Sequence, residues 1–201
     1  HTHSHEGYAD SEAGNADDTV VGVGEQLKKV LEEKYHVAVC HDLSVYDMQD
    51  GKEDRNKAYS QAAVAVQNLL AEHPSIEVTI DLHRDGVPDN VHLETEINGK
   101  KTAKIMFLNG LCRNSNGDVN DFAQNPNLSD NLAFSLQLQL KAKAYFPELV
   151  RHIYLRAYRY NLHFKPRSLL VEVGAQNNTV AEAKNAMEPL ADILYAVLSG
   201  K

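Results

Sequence analysis

Three histidines and a glutamate crowd the first six positions, HTHSHEGY, and two further side chains of the same chemistry stand far downstream: His83 in IDLHRD and Glu172 in SLLVEVG. The spacing His3-x-x-Glu6 is one that a turn can fold around a single ion. Thr2 and Ser4 interrupt the imidazoles and Glu6 closes the run, whereas a purification tag is usually an unbroken repeat. The pairing is also cheap: with 10 His and 28 Asp plus Glu in 201 residues, about one such match arises by chance. Alone, it reads equally well as a solvated polar cluster, and His83 reads as a surface histidine paired with Asp85. Glu172 is harder to dismiss. A carboxylate among Leu170, Val171 and Val173 is expensive to bury unless it has a partner or a task. That partner is either a metal or an arginine, with Arg84, Arg156 and Arg159 as the candidates. Two imidazoles and one carboxylate make a set that holds zinc and leaves a fourth position for water, which then ionises near neutral pH.

These residues need elements to position them. Residues 9–18 are small and acidic and read as a loop. Val20, Val23, Leu27, Val30 and Leu31 recur at helical spacing and predict a helix over 19–34. HVAVC (36–40) predicts a strand with Cys40 in the core, and 41–56 a polar connection. A second helix is expected over 57–72, with Tyr59, Ala62, Val66 and Leu69 on one face, before Pro74. SIEVTIDL (75–82) is a β-branched strand with His83 at its end. NVHLETEI and KTAKIMFL flank Asn98-Gly99, a tight hairpin, so the sheet is expected to be mixed. Residues 113–131 form a long polar loop, of the kind that often carries substrate contacts. A helical stretch then runs to about Tyr160 with a break at Pro147. SLLVEVG (168–174) is a buried strand, and Thr179-x-x-Glu182 is a capping box that opens the last helix. Strand–helix alternation predicts one α/β domain, a twisted mixed sheet with helices on both faces, and ligands bind such sheets at the carboxyl ends of strands.

Composition narrows the function. With 43% hydrophobic and 24% charged residues the chain is that of a globular domain. A net charge of −8 argues against nucleic acid or an anionic membrane surface as partners. The two cysteines, Cys40 and Cys112, form no C-x-x-C pattern, and whether they pair is open.

HTHSHEGY, IDLHRD and RAYRYNLHFKPRSLLVEVGAQNNTVAEAKNAMEPLA together resemble the stage II sporulation protein P family, in order and over nearly the whole chain. The resemblance implies a zinc-dependent peptidoglycan hydrolase with the fold of the zinc N-acetylmuramoyl-L-alanine amidases. It implies cleavage of the amide between N-acetylmuramic acid and the stem peptide, endopeptidase activity on cross-linked stems, and action with stage II sporulation protein D in forespore engulfment. It implies His3, Glu6 and His83 as metal ligands and Glu172 as general base. It also implies that residues 1–201 are a single catalytic domain, with an N-terminal membrane anchor and most of a first strand preceding it and the whole placed outside the cytoplasm. Two departures stand out. Relatives usually carry serine where this chain has His5, so an extra imidazole is expected to crowd the metal. Related amidases take a glutamate ligand from the start of the first long helix, where this chain offers Asp17 or Asp18. Asp81 shares a strand face with His83 and is a candidate to orient its ring. Arg84, Asn109 and Arg113 are placed by position alone as contacts to glycan or stem carboxylates. The rival readings are a zinc carboxypeptidase and a non-catalytic wall-binding module.

Overall fold

The computed structural model describes residues 1–49 and 51–200. Helix α1 (Val20–Tyr35) starts at Thr19, whose hydroxyl accepts from the Val21 N–H, and stops where His36 turns left-handed at φ 55°. A short ribbon of β1 (Met48–Gln49) and β2 (Lys52–Glu53) leads into α2 (Arg55–Glu72). Next come β3 (Val78–Asp85), the hairpin β4 (Glu94–Ile97) and β5 (Lys100–Ala103), and β6 (Ile105–Gly110). Helix α3 (Leu128–Tyr145), β7 (Tyr154–Arg156), β8 (Arg167–Ala175), α4 (Val180–Asn185) and α5 (Met187–Leu198) complete the chain.

The main sheet has the order β3-β8-β6-β7. β3 runs parallel to β8, and β6 runs antiparallel to it, so the sheet is mixed. β8 lies between two neighbours and is apolar on both faces, as a doubly covered strand must be. Leu169, Val171 and Val173 join Leu82, Ile105 and Phe107 in the main core under α1, α3 and α5. Leu170 faces the other way, with Leu108 and Leu162. By the two-residue period of a strand, Asp81, His83 and Glu172 share that second face. Helix α2 stands over it, across a cleft whose walls include Asp81, Val66, Leu69 and Leu169. Helices therefore cover both faces.

Several expectations fail. HVAVC forms no strand among the described residues: Val37 and Val39 pack against the core without a ladder, and Cys40 is exposed rather than buried. The left-handed turn at His36 instead spends the Val37 N–H on the Leu31 carbonyl of α1, at 3.1 Å. Cys40 and Cys112 are both free thiols. The Asn98-Gly99 hairpin forms, with Asn98 at φ 51°, but as a separate two-stranded ribbon packed on α4. The mixed character of the sheet comes from β6 instead. Helix α3 ends before Pro147, and 146–166 is mostly irregular apart from β7. The last helix is two, meeting at Ala186, with the Thr179–Glu182 capping box in place.

Candidate metal centre and general base

The first eight residues form a strap across the carboxyl ends of β3 and β8. A turn closes it, the Glu6 N–H donating to the His3 carbonyl at 3.3 Å. Contacts distant in sequence fix it. The Thr2 N–H and hydroxyl donate to Asp81 at 2.7 and 2.6 Å, and the Ser4 hydroxyl donates to the buried Asp47 at 3.0 Å. The Val20 N–H donates to the Glu6 carbonyl at 3.0 Å, and the Arg84 guanidinium donates to the Gly7 carbonyl. His3 and Glu6 are thereby buried beside β3.

Glu6 Oε2 lies 3.1 Å from His83 Nδ1 and accepts from the Arg84 N–H at 3.2 Å. On the far side of the ring, Asp81 Oδ2 is 3.0 Å from Nε2, close enough for an ion pair though not aligned as a hydrogen bond. The His3 ring meets the His83 ring edge-on with centroids 5.3 Å apart. His83 and Glu172 are direct register partners across the parallel pair. Glu172 Oε2 is buried and accepts no hydrogen bond among the described residues.

The electrostatics follow from burying three carboxylates around two imidazoles. Burial alone would depress the His83 imidazole, but Asp81 and Glu6 outweigh it and push its pKa up to about 10. Burial favours a neutral Glu6, yet its bonds to His83 and Arg84 hold it below the usual carboxylate range. Burial pushes Glu172 up to about 7, against the pull of His83 and with the help of Glu6, Asp85 and Asp81. Glu6, Asp81 and Glu172 thus gather around one imidazole, with the ammonium of His1 3.5 Å from Asp81. Imidazole and carboxylate donors with a carboxylate left over are the donor set of a catalytic zinc site. The fit is one of chemistry and placement. The donor atoms of His3, Glu6 and His83 are not all within 4.8 Å of one another; the trio that meets this condition among the described residues is His92, Glu94 and Glu182, beside the hairpin. That trio is engaged otherwise: Glu182 Oε2 accepts from His92, Asn178 and Thr179, and Lys101 pairs with Glu94.

Other expected residues fall elsewhere. Asp17 pairs with Lys184 at 2.7 Å and Asp18 accepts from the Glu12 N–H, both away from His83. His5 does not crowd the centre. Its side chain is 53% exposed and turns to Asp47, with Nδ1 3.0 Å from Oδ1. Arg84 is occupied in fastening the strap. Asn109 is fully buried on the opposite face, where it exchanges hydrogen bonds with Ser135 of α3 at 2.8 and 3.0 Å. Because β6 is antiparallel, it carries Asn109 and then Arg113 away from Glu172, whose partner is Met106. Arg113 is exposed at the far end of the sheet, its N–H donating to the Ala157 carbonyl. Neither can reach a bond held at His83. Two neighbours of the site gave no signal in the sequence. Tyr59 of α2 stacks on His83 at 6.4 Å and meets His3 edge-on at 5.5 Å. Tyr8, buried near Glu6 and Glu172, donates its hydroxyl hydrogen to the Val173 carbonyl at 3.2 Å. On a helical stripe or in a polar strap, a tyrosine that faces a site looks like one that faces a core.

The architecture matches one class of solved structures. The CwlD amidase from Clostridioides difficile, in complex with the GerS lipoprotein, superposes with a TM-score of 0.57 at 12% identity, covering 98% of this chain and 96% of that one. The N-acetylmuramoyl-L-alanine amidase AmiC2 of Nostoc punctiforme gives 0.53 at 16% identity, covering 98% and 94%. The N-acetylmuramyl-L-alanine amidase Ami1 from Mycobacterium smegmatis gives 0.52 at 13%, covering 97% and 80%. The fold is that of the N-acetylmuramoyl-L-alanine amidases. Sequence narrows the class: the profile of the stage II sporulation protein P family matches residues 1–195, and the chain belongs to that family. Stage II sporulation protein P of Bacillus subtilis (strain 168) is 23% identical in an alignment 207 positions long that covers 96% of this chain and 48% of that protein. The chain thus spans about half the length of this relative. No described helix is long and apolar enough to cross a membrane.

Proposed function

We propose that this domain is a zinc-dependent peptidoglycan hydrolase that cuts the amide between N-acetylmuramic acid and the L-alanine of the stem, with endopeptidase activity on cross-linked stems. His3, Glu6 and His83 would hold the metal, which when bound supplies Lewis acidity and a water acidified toward neutral pH. Asp81, 3.0 Å from Nε2 of His83, would keep the proton on that nitrogen and leave Nδ1, beside Glu6, for the metal. Glu172 Oε2 accepts the proton of the attacking water and delivers it to the leaving amide nitrogen. The observation that carries the reading is the pairing of His83 with an unsatisfied buried Glu172, with Glu6 against the same imidazole. Family membership supports a place in sporulation. On that basis the domain acts outside the cytoplasm during engulfment, tethered by a membrane anchor in the full-length protein and partnered by stage II sporulation protein D.

Product analysis on purified muropeptides tests this. Release of the intact stem from the sugar is expected. Loss of only a terminal residue would make the enzyme a carboxypeptidase, and stoichiometric binding without turnover would make it a wall-binding module.

A further inference from the structure

Between Glu148 and Glu172 the chain holds no acidic residue but five Lys and Arg, at 151, 156, 159, 165 and 167, in a protein whose net charge is −8. Arg151 and Arg167 are taken by Asp85 at 2.6 Å and Glu77 at 3.1 Å. Among the described residues no carboxylate pairs with Arg156 or Arg159. Arg156 is exposed and lies over the Tyr154 ring, 5.5 Å from its centroid.

The same segment carries rings that connect to the candidate site. Tyr59, which touches both His3 and His83, meets Tyr160 edge-on at 5.4 Å, and Tyr160 meets Tyr158 edge-on at 5.9 Å. Tyr158 is 69% exposed. A line of aromatic contacts thus leads from the buried imidazoles to open surface. The backbone holds this line at a cost. Tyr160 and Asn161 are consecutive non-glycine residues at φ 53° and 58°, a region that asparagine tolerates but that disfavours a tyrosine. Asn161 Nδ2 donates to the Tyr59 carbonyl at 2.7 Å, tying the strained turn to α2. Beneath it, a Cβ on Gly110 would overlap the Tyr158 carbonyl oxygen, so the segment lies directly on β6. Strain kept in place by its surroundings, next to an unpaired cationic surface, is expected where a ligand is held.

We infer that Tyr59, Tyr160 and Tyr158, flanked by Arg156 and Arg159, form a track that holds a carboxylate-bearing glycan–peptide polymer beyond the bond to be cut. This rests on the hydrolase reading above and names where the rest of its substrate lies. Tyrosine faces offer apolar area to sugar rings, with a hydroxyl to hydrogen-bond them. Guanidinium forks grip carboxylates bidentately, which a lysine does not. The track is continuous with the site and positive where the rest of the protein is negative, so its charge suits an acidic polymer.

The test is cosedimentation with purified sacculi, using Glu172→Gln protein so that binding is read without digestion. Tyr158→Ala and Arg156→Gln should each raise the dissociation constant about fivefold to tenfold, while Leu140→Ala, on the exposed face of α3, leaves it unchanged. Melting temperature checks folding, and both track residues are exposed. Sacculi whose carboxyl groups have been amidated should bind the unmodified track as weakly as Arg156→Gln binds untreated sacculi. Parental affinity in both track variants, or full affinity for amidated sacculi, would overturn the inference and leave the hydrolase reading intact. Binding through the track with no wild-type turnover would sink the hydrolase reading alone.

Discussion

His83 on β3 and Glu172 on β8 are register partners in a parallel pair, side by side on one face of the sheet. Adjacent strands lie about 4.8 Å apart, so an imidazole and an unsatisfied carboxylate face the same small volume without help from any loop. A pair carried on two rigid strands keeps its geometry when the loops around it move.

Glu172→Gln keeps size and shape but cannot take a proton from water. The variant should bind zinc and melt as the wild type does, yet hydrolyse muropeptides at least about a hundredfold more slowly, the lower end of what a general base contributes. Zinc lost along with activity would make Glu172 a ligand. Unfolding with zinc supplied would make it a structural partner of an arginine.

The ligand set has a clean discriminator. Glu6→Ala should lower zinc content well below about one per chain by elemental analysis. Asp17→Ala and Asp18→Ala should retain it, because these carboxylates are engaged at Lys184 and Glu12. His5→Ser should also be silent, since that imidazole turns to Asp47. Zinc lost from the Asp17 variant and kept by the Glu6 variant would reverse the assignment.

Asp81 touches no substrate in this scheme and acts through His83. Asp81→Asn should weaken zinc affinity about 10- to 100-fold while raising activity back toward normal at saturating zinc. A variant that stays inactive with its metal fully loaded would mean that Asp81 does more than orient the ring.

Glu182 gives a stability test remote from the metal. Burial opposes its ionisation, but bonds from Asn178, His92 and the Thr179 N–H prevail and hold its pKa below 4.5. Its folded pKa is depressed, so its contribution is present above the unfolded value and is lost as pH falls through the folded one. The wild-type melting temperature should therefore fall below about pH 4.5 more steeply than that of Glu182→Gln, with the two curves converging in strong acid. Parallel curves at every pH would show that the carboxylate gains nothing from these partners.

Much of this frame was legible in the sequence because local chemistry writes it. Thr19 opens α1, Thr179 and Glu182 box the start of α4, and a doubly apolar strand announces β8 with Glu172 inside it. What stayed hidden was tertiary. A strand buried on both faces reads alike in either direction, so nothing in IMFLNG told that β6 runs opposite to β8, and Asn109 and Arg113 were placed at the wrong end of the sheet. HVAVC has the composition of a strand, yet it joins no ladder among the described residues. His5 is satisfied by Asp47, a partner 42 positions away that no spacing rule identifies. The Tyr160–Asn161 turn depends on left-handed backbone at a tyrosine, a residue that rarely adopts it.

The strap at residues 1–8 has a temporal consequence. Its residues are made before the strands they touch, and the Glu6–His83 contact closes over a separation of 77 positions, with Glu172 arriving later still. Such distant contacts come late in folding, after the loop entropy between them has been overcome. A nascent chain therefore holds His3, Glu6 and His83 before Glu172 has been made, and has no assembled centre. Under the proposed wall-hydrolase function, that order of events is a safeguard: destructive power appears only when the molecule is whole.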